Sequence, residues 1–180
     1  LKPTGFINDF AGVLSPEQVR VLEEDARRIE RETGAEVAVV IVKDLGGQNL
    51  ESSAHDIFNS WGIGKKDKDN GVLILISMAE RKIRIETGYG VEHLLPDGLC
   101  GNIIRNVMAP EFRAGKIAEG IQGALSSIEK AVAGEGQDTG GTPENQQDIP
   151  PAAFVVAWEA MVFAFTMGGF GLSGVIVQIV

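Results

Sequence analysis

Apolar and polar residues near the start of the chain follow the period of an amphipathic helix. Apolar side chains recur at helical spacing across residues 19–29. Just before them, residues 15–18 read SPEQ, which places a capping serine, a proline at the first helical position and a glutamine at the third. Gly34 supplies a left-handed stop. These signals predict a first helix of about five turns.

Three short runs predict strands. Residues 37–42 and 72–76 are apolar at every position, which is typical of strands that are buried on both faces. Residues 82–87 alternate between polar and apolar, so we expect a half-exposed strand there. Only residues 77–81 separate the last two runs, which predicts an antiparallel hairpin.

Further helical patterns complete a domain over residues 1–133. Apolar spacing predicts helices at 50–61, ended by Gly62, at 97–108 and at 116–133. Helix, strand, helix, hairpin and two helices, in that order, predict a mixed sheet with helices on both faces. The expected fold class is α/β, a three-layer α/β/α sandwich.

The composition changes abruptly after the domain. Residues 134–151 are rich in Gly, Pro, Gln and acidic residues, which predicts a flexible linker. Residues 152–180 carry one charge, Glu159, and 160–177 are uncharged, which predicts a transmembrane helix at the lower limit of length. Glu159 would cost roughly 2.5–3.5 kcal/mol at the bilayer centre, and less near an interface. The alternative is an internal helix packed on the domain.

Charge and cysteine content narrow the function. The net charge is −9, and neither the domain nor the rest of the chain carries a stripe of basic residues. We therefore expect no nucleic-acid partner. Cys100 is the one cysteine, which excludes an internal disulfide framework, and its apolar neighbours predict a buried side chain. Because the chain begins at Leu1, we expect a removed leader or a fragment.

The main candidate for chemistry is the loop at residues 67–71, which reads DKDNG. Hard cations prefer several oxygen ligands on a flexible loop. An EF-hand is excluded, since Gly71 and Met78 occupy positions that need ligands, and Asp-Asn-Gly is also ordinary turn chemistry. His55 and His93 have no spaced partners and do not predict a zinc site.

Topology strengthens the case for that loop. Ligands of open α/β sheets gather at strand ends and helix starts. Acidic residues precede the first helix and begin a later one, and Glu86 and Glu92 flank a Gly-Tyr-Gly turn at 88–90. If these groups converge near the loop, they form an acidic pocket.

Four ordered motifs resemble the TPM domain family of YgcG-like, membrane-anchored proteins. Residues 8–15 read NDFAGVLS, and 62–64 (GIG) lead to 70–75 (NGVLIL). Residues 84–92 read RIETGYGVE and 95–97 read LPD. The resemblance covers about residues 6–133. It implies an α/β/α sandwich on the extracytoplasmic side of the cell membrane.

The resemblance also implies what the site does. Some members of the family bind calcium, and some are acid phosphatases. The residues that occupy the family's acidic-loop positions, and hence the predicted Ca²⁺ ligands, are Asp9, Asp67, Asp69, Asn70 and Asp97.

Two functions follow from the residues and the resemblance together. The first is a membrane-tethered binding or accessory domain, with calcium as its candidate cofactor and with the lipid bilayer and a membrane-protein complex as partners. The alternative is a metal-assisted acid phosphatase that uses the same carboxylates. Phosphoryl transfer needs cations as well, and the nearby ones are Lys65, Lys66, Lys68 and Arg84.

Overall fold

A computed structural model describes residues 1–65, 67–134 and 146–148. The elements in chain order are β1 (Ile7–Asp9), α1 (Pro16–Thr33), β2 (Glu36–Val42), α2 (Leu50–Trp61), β3 (Gly71–Ser77), β4 (Lys82–Thr87), α3 (Asp97–Ile103), a π-helical turn (Ile104–Met108), α4 (Ala109–Arg113), α5 (Ile117–Val132) and β5 (Gln146–Asp148).

The five strands form one mixed sheet in the order β1-β2-β3-β4-β5. The first three are parallel, and β4 and β5 each pair antiparallel with the preceding strand. Val39 and Ile74 lie in the core with α1 and α3–α5, whereas Val40 and Leu75 face α2. The prediction of an α/β domain with helices on both faces of a mixed sheet is therefore confirmed.

The two parallel crossovers have opposite hands. Both advance in the same direction, from β1 to β2 to β3, yet α1 packs on one face of the sheet and α2 on the other. One crossover is therefore left-handed, against the strong preference of parallel units for the right hand. Among the described helices, α2 alone packs on its face of the sheet, where Phe10, Leu45 and Ile63 also contribute to the buried cluster.

The helix signals read from the sequence are confirmed. Ser15 accepts a hydrogen bond from the backbone of Gln18, whose side chain accepts one from Ser15 N in return, and Gly34 ends α1 with φ 79°. In α2 the amino cap is Asn49 and the stop is Gly62 with φ 63°.

Three features differ from the sequence prediction. β1 was not predicted, because three residues that include Asn8 and Asp9 show no usable period. The predicted helix 97–108 has a π-helical end, since Pro110 lacks an N–H and its ring crowds the carbonyl four residues earlier. β5 lies within the predicted linker, where it pairs with the outer edge of β4.

The predicted transmembrane segment, residues 152–180, lies outside the described residues. Among the residues that are described, none of the helices combines the length and apolar character needed to span a bilayer.

We call the two ends of the parallel strands the amino edge and the carboxyl edge. Asp9 pairs in register with Ile41, and Ile41 with Ile76, so Asp9 lies at the carboxyl edge. The carbonyl of Asn70 accepts a hydrogen bond from Glu36 N at the amino edge. Six residues separate Asn70 from Ile76 along β3, a distance of about 20 Å.

Candidate functional site

The predicted acidic loop lies at the amino edge, where Asn70 holds it in place. Asn70 Oδ1 accepts a hydrogen bond from Lys65 N at 2.9 Å, and its Nδ2 donates to the Gly34 carbonyl. Both ends of this amide are therefore used to join the loop to the end of α1. Asn70 therefore has a structural role. To bind a metal ion, its side chain would have to give up one of these hydrogen bonds.

Four glycines pack this loop against its neighbours through bare backbone. A Cβ on Gly64 would meet the backbone of Gly71, and one on Gly88 or Gly90 would overlap the carbonyls of residues 69 and 68. The backbone is tied at the same point, since Gly90 N donates to the Asp69 carbonyl at 2.9 Å. We call this contact, residues 64, 68–71 and 88–90, the glycine junction.

The junction keeps the carboxylates of Asp67 and Asp69 exposed to solvent. Asp69 itself adopts a left-handed backbone with φ 48°. Neither carboxylate makes a hydrogen bond or an ion pair within the described part of the chain. Asp97 is exposed in the first turn of α3.

Asp9 lies at the other edge of the sheet, so the structure does not bring it to the loop. Its carboxylate accepts three backbone hydrogen bonds, from Ala11 N (3.2 Å), Gly12 N (2.8 Å) and Leu14 N (2.8 Å). These bonds shape the turn that enters α1. Across the described residues, no group of three or more His, Cys, Asp or Glu side chains is placed to hold a metal ion.

His55, which the sequence left without a partner, meets Glu86 across the α2–β4 contact. The distance from His55 Nδ1 to the Glu86 carboxylate is 3.6 Å. Arg84 also engages that carboxylate, through Nε at 3.1 Å and an η-nitrogen at 3.0 Å. The guanidinium of Arg84 is thus already paired with an anion.

Cys100 is fully buried, as predicted. Burial, assisted by the nearby charge of Asp97, raises the pKa of its thiol to about 12. The thiol is therefore protonated at neutral pH and is not a nucleophile.

A cleft of about 580 Å³ opens at the carboxyl edge, between α2 and the loop that follows β2. Its volume is within the usual range for small-molecule and peptide pockets. The residues that line it come from the start of the chain, the ends of β1 and β2, the loop after β2, α2 and β3; they are Leu1, Phe10, Val42, Lys43, Asp44, Leu45, Gly46, Gln48, Ser53, Asp56, Ile57, Ser60, Trp61 and Leu75.

One wall of the cleft is aromatic. The rings of Phe10 and Trp61 pack edge to face, with centroids 6.4 Å apart and planes at 72°. The indole N–H of Trp61 donates to the Leu1 carbonyl at 3.3 Å. With its one polar atom used within the chain, the indole presents apolar surface to the cleft.

The rim of the cleft is polar and carries more negative than positive side chains. Asp44 and Asp56 line it, and Lys43 is the one cationic side chain among the lining residues. Asp44 Oδ1 accepts a hydrogen bond from Gly46 N at 2.9 Å, which leaves its second oxygen open. Asp56 makes no hydrogen bond or ion pair with the described residues.

Glu80 holds the loop after β2, which forms part of this rim. Its carboxylate accepts hydrogen bonds from the Ser77 hydroxyl and from Leu45 N (3.2 Å). Burial raises the pKa of Glu80, but these two bonds and the charge of Lys82 outweigh burial and lower it below its ordinary value. Glu80 is therefore an anion that fixes the loop after β2.

The lining combines aromatic and aliphatic side chains with a few polar ones, a composition typical of ligand-binding clefts. Sequence reasoning missed the cleft because its lining comes from five separate segments of the chain. The usable signals were an aromatic residue directly after β1 and another at the end of α2.

The fold and the cleft define a class of protein: an α/β domain with helices on both faces of its sheet and an open cleft at the carboxyl ends of its parallel strands. Residues 7–131 match the TPM domain, so the chain belongs to the TPM domain family. No similarity to a curated protein was found.

Solved structures agree with this membership. The N-terminal domain of a protein from P. gingivalis is 36% identical, with a TM-score of 0.67 over 73% of this chain and 83% of that one. The BA42 protein from Bizionia argentinensis is 20% identical (TM-score 0.60; 68% and 83% covered). An N-terminal domain from Corynebacterium glutamicum is 16% identical (TM-score 0.56; 77% and 85%). The last two show similarity of fold alone.

Proposed function

We propose that this TPM-family chain is a binding or accessory domain that uses its carboxyl-edge cleft to engage a membrane-protein partner. The observation that carries the proposal is the cleft itself. It lies where α/β sheets bind their ligands, and apolar walls with a few polar groups at the rim are typical of recognition sites.

The directions of α5 and β5 support a binding partner at the membrane. α5 runs in the same direction as α1, because Gln122 contacts Asp25 and Glu129 pairs with Arg28. The chain therefore leaves α5 towards the amino edge. β5 then runs back, since Asp148 is in register with Lys82 at the carboxyl end of the β3–β4 hairpin.

This course has a consequence for the location of the cleft. Residues 149–151 alone separate β5 from the predicted membrane segment at 152–180. A bilayer anchored there lies closer to the carboxyl edge than to the amino edge. The cleft then opens on the side of the domain from which a membrane-embedded partner would be reached, extracytoplasmic in the orientation that we propose.

A metal-assisted acid phosphatase is the second candidate, and the geometry favours it less. Two exposed carboxylates, Asp67 and Asp69, are fewer ligands than Ca²⁺ usually takes. Among the cations proposed to neutralise a phosphoryl group, Arg84 is paired with Glu86, and Lys65 and Lys68 are exposed. Hydrolysis of p-nitrophenyl phosphate that is lost in Asp69→Asn but kept in Asp44→Asn would reverse this order.

Site-specific photo-crosslinking tests the binding proposal. A benzoylphenylalanine replaces Ile57 in the cleft, Tyr89 at the amino edge, or Arg20 on the outer face of α1, each in the full chain in membranes of the source cell. We expect one discrete adduct from position 57, lost when Trp61→Ala is added, and none from the other two positions. Equal adducts from all three positions, or none from position 57, would contradict the proposal.

A further inference from the structure

We infer that the cleft is specific for a basic, apolar peptide segment, one in which a Lys or Arg side chain neighbours an aliphatic one. This inference rests on the proposed function, because it names the chemistry of the partner that the same cleft would bind. Three properties of the lining carry it: its charge, its aromatic wall and its apolar floor.

The charge of the lining favours a ligand of the opposite charge. Among the side chains of the lining, two are carboxylates, Asp44 and Asp56, and one is an amine, Lys43, so these side chains sum to 1 − 2 = −1. Glu80, directly beneath the loop at Leu45, adds another anion. A carboxylate or phosphate ligand would face repulsion from these groups, whereas a guanidinium or an ammonium would find Asp56 and one oxygen of Asp44 unpaired.

The aromatic wall favours the same ligand. Cations bind to the faces of aromatic rings, and tryptophan is the best of the aromatic side chains for this contact. Trp61 is held in position by its contact with Phe10 and by its hydrogen bond to the Leu1 carbonyl. A fixed indole beside two open carboxylates is a combination that recognises an Arg or Lys side chain.

The floor adds an apolar requirement. Leu45 and Ile57, both half-buried, contribute aliphatic surface to the cleft, and the buried Val42 and Leu75 lie behind them in its lining. A bare cation would leave this surface in contact with water, but an aliphatic residue beside the cation would cover it. The lysine and arginine stems themselves are apolar, which extends the match.

The experiment uses the tryptophan of the cleft as its own reporter. The full chain carries two tryptophans, Trp61 and Trp158. Trp158→Phe leaves Trp61 as the single indole, and the protein is placed in nanodiscs of zwitterionic lipid. The probes are acetyl-Leu-Arg-Leu-Arg-amide and its matched neutral (Gln for Arg) and acidic (Glu for Arg) forms, followed by Trp61 fluorescence.

We expect the basic peptide to bind at least about tenfold more tightly than the neutral one, and the acidic peptide not to bind. The preference weakens with added salt, because the ionic part is screened. Asp44→Asn with Asp56→Asn abolishes it. Asp67→Asn with Asp69→Asn, the same charge change at the amino edge, leaves it intact, and thermal melting confirms that both double variants are folded.

The outcomes separate this inference from the function on which it rests. Equal affinity for the neutral and basic peptides, or no effect of the cleft double variant, overturns the inference while binding in the cleft stands. No change of Trp61 fluorescence with any peptide also overturns the inference. The crosslinking at position 57 then decides independently whether the cleft binds a partner.

Discussion

The two edges of the sheet use their polar residues in opposite ways. At the amino edge, Asn70 and four glycines join three segments through hydrogen bonds and close backbone contacts. At the carboxyl edge, a cleft opens beside α2, and Asp44 and Asp56 in its lining keep oxygen atoms that no described residue binds. The edge that is rich in sequence motifs is closed, and the edge with few motifs is open.

This difference shows that a motif and a site need not coincide. The Asp-Asn-Gly sequence and the Gly-Tyr-Gly turn are required by the glycine junction, where side chains would overlap the backbone. The cleft needs only apolar and acidic residues from separated segments, and many residue types satisfy that requirement. The following variants test whether the amino edge is structural and the carboxyl edge available for binding.

The largest effect is expected from Gly90→Ala in the glycine junction. The added methyl would overlap the carbonyl of Lys68, so we expect a loss of about 3 kcal/mol in the free energy of unfolding. Gly12→Ala is the matched control, because Gly12 has φ 70° but open space around it, and it should lose about 1 kcal/mol. Urea denaturation measures the free energy of unfolding of both variants. Equal losses would show that close backbone packing is not what requires glycine in the junction.

Asp9→Ala should come next. It removes an acceptor of three backbone hydrogen bonds, and we expect a loss of about 2 kcal/mol. Asp67→Ala serves as the control, since that exposed carboxylate makes no bonds within the described residues, and its stability should be unchanged. Both values come from chemical denaturation. An Asp9→Ala protein as stable as the parent would free Asp9 for a ligand role.

Glu80→Gln should cost about 1 kcal/mol at neutral pH, since it weakens the bonds from Ser77 and Leu45 N. The pKa of Glu80 is lowered from its ordinary 4.5 in the folded protein, so its stabilisation is full above that value. It is lost as the pH falls through the lowered folded value. Melting curves from pH 7 to pH 3 should therefore converge for parent and variant, and a constant gap would contradict the assignment.

The smallest effect is expected from a chelator. The residues of the predicted calcium set are divided between two edges, and Asp9 and Asn70 are occupied by hydrogen bonds within the chain. We expect EDTA to leave the Tm and the binding of the basic peptide unchanged. A ligand that binds the native state must raise the Tm. A rise of the Tm with calcium that disappears in Asp69→Asn would therefore support calcium binding and contradict this expectation.

The sequence was sufficient for the helices and the long strands, because burial imposes its periods on them. Residues 37–42 and 72–76 could be assigned since both faces are covered, and α1 since its cap and stop are explicit. β1 could not, because three residues are held there by their neighbour β2 and not by their own pattern. The π-helical turn was missed because a proline near the end of a helical pattern can either end the helix or be accommodated by a local change of hydrogen bonding, and the local sequence does not decide between the two.

The candidate site was less accessible to sequence reasoning for a related reason. The prediction grouped acidic residues by their nearness to strand ends, but the register of β1 and β2 decides at which edge each one lies. Asp9 and Asn70 are both at a strand end, and about 20 Å of sheet separates them. The hand of the crossover between β2 and β3 decides on which face of the sheet α2 packs. No residue in the sequence indicates that hand.

The short strand β5 also has a consequence for the edge of the sheet. Gln146–Asp148 pair with residues 82–84 of β4, on the side of β4 that faces away from β3. An unpaired strand edge is a template for pairing with another chain. By occupying this part of the edge, β5 protects the domain against edge-to-edge association with a second copy.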